Sequence, residues 1–454
     1  MRQTIRQQLS FVEPIINHEH ARELKMISHI LNNCPGIAEL VYADLIRELA
    51  DPKAGRDGMM SGEQVYKALT IKQMNSFSYD ELAFHLLDSK TYRSFCGFGF
   101  GDEVPSSSTL QRDIKKIRPE TLEAINRIVI KYAREMGIET GRTVRVDCTV
   151  VESNIHHPTD SSLLEDCVRV LSRLTGRAKA VFDLDILFVD HSRRAKKRAL
   201  EVLNGKNDKQ RKKPYKDLLH ISEKSVGYAE DAIQSLTIVG AVIGGMKDAA
   251  QNAAKELAEY VALTKRVVSQ TYRRVILEEK VPAEEKVVSI FEPHTDIIVK
   301  DRRDTYYGHK IALAGGVSGL LTDLVIEDGN PCDSTLAVEM ITRQKKIYGR
   351  VPRQAAYDGG FASRANLKTI KDMGVKDVSF AKKCGLKIAD MVKSTWVYKK
   401  LRNFRAGIEG MISYLKRSFG MRRCTWRGHQ SFKSYAWSSV VTANLLLLSR
   451  HLLA

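Results

Sequence analysis

One short run of alternating residues constrains this chain more than any other feature. From Thr143 the side chains Val144, Val146, Cys148 and Val150 fall on one side and Arg145, Asp147, Thr149 and Val151 on the other, which is the period of a β-strand. A strand needs a neighbour to satisfy its backbone groups, yet the next strand-like pattern comes only at about Val287. Between them apolar residues follow helical spacing, as at 229–236 and 249–277. The sheet must therefore close across a long helical insertion.

The region before the strand, to about Gly137, is also helical, because apolar residues recur three and four apart, as in Val65, Ala68 and Leu69, then Ala83, Leu86 and Leu87,. Ser61 ahead of Glu63 and Gln64, and Ser78 with Glu81 three residues on, mark helix starts,. After the insertion, strand patterns at 287–291, 297–300, 310–314, 320–326, 354–357 and 376–380 alternate with helical ones at 334–348 and 363–373. Two further helices, 402–419 and 435–453, close the chain. The expected fold class is mixed α/β, a sheet flanked by helices with an all-α N-terminal domain. The expected boundaries are 1–138 for that domain, 139–165 with 286–454 for the sheet domain, and 166–285 for the insertion.

Charge points to the partner. With 72 Lys and Arg against 54 Asp and Glu the formal charge is +18, which suits a polyanion. In the N-terminal region Pro105 to Thr109 breaks the chain before Leu110, Ile114 and Ile117, a stripe interleaved with Arg112, Lys115, Lys116 and Arg118. Helix, turn and basic helix is the outline of a DNA reader; the alternative is a solvated basic face. In the insertion Arg193, Arg194, Lys196, Lys197 and Arg198, followed by Lys212 and Lys213, are expected to meet phosphates. The longest apolar runs, 238–246 and 440–448, fall short of the roughly 20 residues that span a bilayer, so no membrane partner is expected. The polar start, Met1 to Gln7, lacks the apolar core of a secretory signal,, and the 7 cysteines have no zinc-ligand or redox-motif spacing,. A cytoplasmic, reduced protein is expected.

Three acidic positions could converge. Asp147 lies mid-strand, where a charge is unusual unless it is paired or binds metal. Asp358 ends the strand 354–357 and precedes Gly359 and Gly360, where ligands of open α/β sheets sit and where glycine permits close approach. Glu409 shares a helix face with Arg402, Arg405 and Lys416, spaced three, four and seven apart,. A Glu so placed can equally be a simple i, i+4 ion pair with Arg405. Three carboxylates brought together repel by about 4 kcal/mol per pair at 4 Å and an effective dielectric near 20, so such a cluster needs a cation. Oxygen-only ligands select a hard ion such as Mg²⁺, and two such ions can drive an in-line phosphoryl displacement.

These residues give the chain its resemblance to a family. It resembles the DDE transposases of bacterial insertion sequences, in the branch whose last acidic motif reads Tyr, two residues, Arg, three residues, Glu, six residues, Lys. Arg405, Glu409 and Lys416 match that spacing, and Arg402 stands at the Tyr position. Asp147 within Val146 to Ile155 is similar to the first acidic motif, and Tyr357-Asp358-Gly359-Gly360-Phe361 to the second. Ser78 to Gly97, Gly308-His309-Lys310, Glu327 to Ser334 and Asn444 are similar to flanking parts of the same enzymes. The resemblance implies a ribonuclease H-like sheet, with the first Asp on the first strand, the second after the fourth and the Glu on a following helix. It implies cleavage at the element's ends and strand transfer into target DNA. It further implies two Mg²⁺ ions, replaceable by Mn²⁺, on Asp147, Asp358 and Glu409, with Arg405 and Lys416 on phosphates near the scissile end. Double-stranded DNA, as inverted-repeat ends and target, is the implied partner, with a homodimer in the DNA complex and a bacterial, nucleoid-associated location. An inactive, domesticated descendant that only binds DNA is the alternative.

Other candidates have blander readings. Asp160 reads as a turn residue more than a fourth ligand, and the adjacent His156 and His157 point apart on extended chain. His309 is either structural or a DNA contact; Asp323, Asp328 and Asp333 read as turn and helix-cap residues. Trp426 could stack on a flipped base, but a lone Trp is more often packing.

Overall fold

The computed structural model describes residues 3–4, 17–49, 59–99, 101–242, 246–300, 304–382 and 384–454. Most of the polar start of the chain, and the middle of the apolar run 238–246, lie outside them. The chain forms two compact units, Met1–Glu152 with His309–Ala454 and Ser153–Gly308.

The first unit opens with helices α1 (Glu19–Asn32), α2 (Gly36–Ile46), α3 (Gly62–Asn75), α4 (Tyr79–Asp88), α5 (Lys90–Phe95), α6 (Ser107–Ile114) and α7 (Pro119–Glu135). The expected caps form: Ser61 with Gln64 begins α3 and Ser78 with Glu81 begins α4, each a reciprocal capping box,. The strand signal at Thr143 is β1 (Thr143–Glu152). β2 (Asp296–Lys300) and the start of β3 (Asp304–Gly315) belong to the second unit; the rest of β3, β4 (Leu321–Ile326), α12 (Asp333–Tyr348), β5 (Gln354–Tyr357), α13 (Arg364–Asp372), β6 (Asp377–Phe380), α14 (Ile388–Met391), α15 (Thr395–Ser418) and α16 (His429–Leu453) complete the first. Its sheet runs β4-β3-β1-β5-β6. β3 and β4 are antiparallel, and β1, β5 and β6 are parallel, with α12 and α13 making the crossovers. This is the mixed, ribonuclease H-like sheet expected.

Two cores hold the unit. One comprises Val144, Val146, Ala355, Ala356, Tyr357 and Val378 of the sheet together with apolar residues of α12, α13 and α15. The other joins the N-terminal helices to α16 and to Leu313, Leu321 and Leu324. α16 is buried almost all round from Phe432 to Ser449, which is why its middle reads as a mostly apolar run with no polar face. Its Asn444 acts like a neighbouring strand: the side-chain oxygen accepts from Leu321 N at 2.8 Å and the amide donates to Leu321 O at 2.7 Å. The N-terminal helices therefore share a core with the sheet's closing helix, and no compact-unit boundary falls at residue 138.

The second unit contains α8 (Asp160–Phe182), α9 (Ser192–Asn204), α10 (Asp208–Val242) and α11 (Lys247–Thr271), packed through Leu164, Val168, Leu171, Leu218, Ile221 and Leu257. It also holds the pairing of β2 with the first part of β3, from Asp296↔Gly308 to Lys300↔Asp304, so its limits are wider than 166–285. The strand expected at 287–291 does not form. Val287, Val288 and Ile290 are buried, but the Gln270 side chain accepts from Val287 N at 2.8 Å and donates to Val287 O at 3.0 Å. A side-chain amide thus replaces the strand partner. Asp160 begins α8 behind the Thr159 cap. No helix among the described residues is long and apolar enough to cross a membrane.

Candidate active site

The register of the parallel strands places the first two acids. Val146 on β1 pairs with Tyr357 on β5, so Asp147 and Asp358 take the next positions on adjacent strands and turn to the face opposite these two buried residues. Asp147 is held by its neighbour, because Cys148 N–H donates to Oδ1 at 2.8 Å. The third acid comes from α15, which lies on β1 and β5 with Val397, Tyr398, Leu401, Ile408 and Leu415 inward. One turn before Glu409, Arg405 reaches back to the sheet. Its Nη1 lies 3.2 Å from Asp147 Oδ2 and 3.2 Å from Asp358 Oδ1, and its Nη2 2.5 Å from Glu409 Oε1. One guanidinium touches all three carboxylates. The i, i+4 pair foreseen for Arg405 and Glu409 does form, but as one arm of a larger cluster.

The electrostatics agree with the geometry. The Asp147 carboxyl is pushed up to about 6, chiefly by burial; the Cys148 N–H opposes this, Asp358 adds to it, Arg405 opposes it and Glu409 adds to it. Burial thus disfavours its charge while two neighbouring anions repel it. Three carboxylates in such a setting call for positive charge, and an oxygen-only donor set suits a hard divalent cation. The residues present fit such an ion.

The helix is anchored by a residue that the sequence reading passed over. Arg145, two residues before Asp147 on β1, is 8% exposed. Its Nη1 donates to Phe404 O at 3.1 Å, and its guanidinium lies 4.8 Å over the Phe404 ring. Gly407 makes room for it: a Cβ there would lie 2.0 Å from Arg145 Nη1. The only signal in the sequence is an Arg on the same strand face as Asp147. The two glycines after Asp358 also serve side chains rather than open space, since a Cβ on Gly359 would lie 2.7 Å from Lys382 Cβ and one on Gly360 2.7 Å from Asp333 Oδ2. Asp333 is a first-turn residue of α12 that also pairs with Lys310 at 2.9 Å.

The remaining candidates divide. Arg402 is exposed and Lys416 half-buried on α15. Around α6, Leu110, Ile114 and Ile117 are buried, Arg112 lies 3.3 Å from Asp113, and Arg118 is taken up by Asp44 at 2.6 Å. Lys115 and Lys116 are half-buried. Residues 96–106 separate α5 from α6, longer than the 3–4-residue turn of a helix-turn-helix. In the insertion Asp217 binds both Arg194 and Arg198 at 2.5 Å, and Lys212 pairs with Glu278 at 2.5 Å. Asp160 pairs with Arg274 at 2.9 Å, a structural ion pair. His156 lies 3.3 Å from Ser162 Oγ and His157 packs edge-on to Tyr307. His309 is buried, stacked on His429 with Phe432 at its edge. Asp323 is no turn or cap: it lies in β4, 1% exposed, with Arg343 Nε at 2.6 Å. Asp328 is in a turn beside His429 and Lys433. Trp426 is buried against Tyr435 and cannot stack on a base.

Comparison with known proteins bears on the same segments. Residues 15–116 match the family described as Transposase domain (DUF772), and residues 294–445 match the Transposase DDE domain. A Rhizobium meliloti protein, "Uncharacterized protein ORF8 in nfe locus", is 32% identical over 108 residues, 23% of this chain and 52% of that protein. The chain thus spans about half the length of this relative. No solved structure matches the chain.

Proposed function

By its two transposase domains the chain is a DDE transposase of an insertion sequence, and from that premise we propose that Asp147, Asp358 and Glu409 form the acidic site that cuts DNA at the element's ends and joins the freed end to target DNA. The observation that carries this reading is the meeting of three acids, from β1, the end of β5 and α15, on one guanidinium. A carboxyl raised by burial and by neighbouring anions, as Asp147 is, is the kind of group that functional sites gather.

Enzymes of this family use divalent metal ions. Here the three carboxylates would hold two Mg²⁺ ions, with Mn²⁺ as a substitute. When bound, such ions lower the proton affinity of an attacking water or 3′-hydroxyl and stabilise the leaving oxygen of an in-line displacement. The chain's own residues prepare that chemistry. The Cys148 N–H fixes one Asp147 oxygen and leaves the other facing the cluster. Arg145 holds the turn of α15 that carries Arg405 and Glu409. Arg405 offsets part of the carboxylates' charge and lies where its fork can turn to a phosphate, with Arg402 and Lys416 along the same helix as further phosphate contacts. The partner is double-stranded DNA, as inverted-repeat ends and target, and pairing two ends implies a homodimer in the DNA complex.

The test is a plasmid carrying the DNA that flanks the gene, incubated with Mg²⁺ and either wild type or Glu409→Gln. The expected result is nicks at the element's ends that disappear with EDTA and in the variant, while DNA binding persists. Wild-type-like cleavage by Glu409→Gln or Asp358→Asn would overturn the assignment.

A further inference from the structure

The basic run of the insertion is not one surface but two, and the division is made by Asp217. On α9, Arg194 and Arg198 turn toward α10, where the Asp217 carboxylate accepts both at 2.5 Å, and Arg198 also pairs with Glu201 at 2.7 Å. These guanidiniums clamp two helices together, and their charge is spent on the clamp. Arg193, Lys196 and Lys197, at i, i+3 and i+4, share a different face of α9. With Leu200, Gln210, Lys213 and Pro214 they line a concavity of about 730 Å³. A second concavity of about 500 Å³ shares Glu201, Lys213 and Pro214 with it and adds Lys216 and His220, with the Arg198–Asp217 clamp forming its wall. Among the described residues none of Arg193, Lys196, Lys197, Lys213 and Lys216 has an ion pair.

The groove is built in advance of any ligand. The turn from α9 to α10 is tied by Asn207 Oδ1, which accepts from Gln210 N at 2.9 Å, by Gln210 Oε1, which accepts from Lys206 N at 3.0 Å, and by Arg211 Nε, which donates to Gly205 O at 3.0 Å. Pro214, inside α10, has no N–H and leaves the Gln210 carbonyl without its helical donor. Five cations over an apolar floor of Leu200 and Pro214 match a chain of phosphates carried on sugars, and a mobile carboxylate-rich surface would gain less from a rigid wall.

We infer that the α9–α10 groove binds the sugar-phosphate backbone of duplex DNA through Arg193, Lys196, Lys197, Lys213 and Lys216, and that Arg194, Arg198 and Lys212 take no part in binding. The inference rests on the transposase reading for its choice of polyanion. It goes further in assigning a sequence-independent contact to the insertion and in separating binding cations from structural ones.

The experiment measures the affinity of the full chain for two duplexes, the element end and an unrelated sequence, across a salt series in EDTA, so that no cleavage intervenes. Each phosphate contact contributes about 0.9 to the slope of log K against log salt. Changing the five groove cations to Gln should flatten the slope by about 4 to 5 on both duplexes, whereas Arg194→Gln with Arg198→Gln should leave it within about 1 and lower thermal stability instead. An unchanged slope in the five-fold variant, an equal flattening by the clamp variant, or a loss confined to the element end would each overturn the groove. The outcome is independent of the plasmid assay. Binding that behaves as expected with no cleavage by wild type would sink the active-site reading and leave the groove standing, while cleavage with an unaltered slope would do the reverse.

Discussion

Arg405 is the residue on which the site turns. Its side chain is 14% exposed and its guanidinium is shared among three acids, so removing it leaves neighbouring carboxylates without that counter-charge. Arg405→Ala should lower stability in EDTA by about 1–3 kcal/mol, the usual cost of stripping a partner from part-buried charged groups. A divalent cation should restore more of that loss than it adds to wild type. Thermal unfolding with and without Mn²⁺ checks this, and a variant as stable as wild type in EDTA would contradict it. The three acids were legible in the sequence because each stands at a place where its type is unexpected: mid-strand, at a strand end before glycines, and on a cationic helix face. Arg405 was legible only as one of three cations on the Glu409 face. Its contact with Asp147 and Asp358 depends on how α15 crosses the sheet, which no local spacing specifies.

At the scale of elements, the position of α15 depends on a fit between Arg145 and Gly407. The added methyl in Gly407→Ala would meet a guanidinium that is itself tied to Phe404 O and its ring. Overpacking of that kind costs about 1–3 kcal/mol, and here it should also move Glu409 and so reduce cleavage more than DNA binding. Chemical denaturation and the plasmid assay together test this; full activity at reduced stability would place the strain elsewhere. A second element contact is the ion-paired Asp323 of β4, whose partner Arg343 on α12 also reaches Glu123 of α7 at 3.0 Å. Asp323→Ala leaves the half-buried Arg343 with Glu123 as its one remaining acid and should cost about 1–3 kcal/mol, read as a fall in the denaturation midpoint. The sequence reading took Asp323 for a turn or helix-cap residue, the commonest place for an Asp. Pairing with a residue twenty positions away leaves no local trace.

For the whole molecule, two units with separate cores mean that damage in one should stay local. Leu171→Ala, at a fully buried position in the core of the second unit, should cost about 2–5 kcal/mol, with faster hydrogen exchange confined to Ser153–Gly308. Spread of that effect to β1, β5 and β6 would show the two cores to be one cooperative system. The sequence by itself determined that this chain alternates strand and helix around a helical insertion, that it carries three acids in the order of a DDE transposase, and that it is basic enough to seek a polyanion. Hydrophobic period, capping residues and net charge are properties of short windows or of sums, so they survive without coordinates. Only the tertiary structure decided that the N-terminal helices share a core with α16, that Gln270 stands in for a strand at Val287, and that Asp217 withdraws two arginines from the basic run. Each of those outcomes is a competition between partners far apart in the chain for the same hydrogen-bonding or charged group, and the winner is set by which of them packing brings within reach.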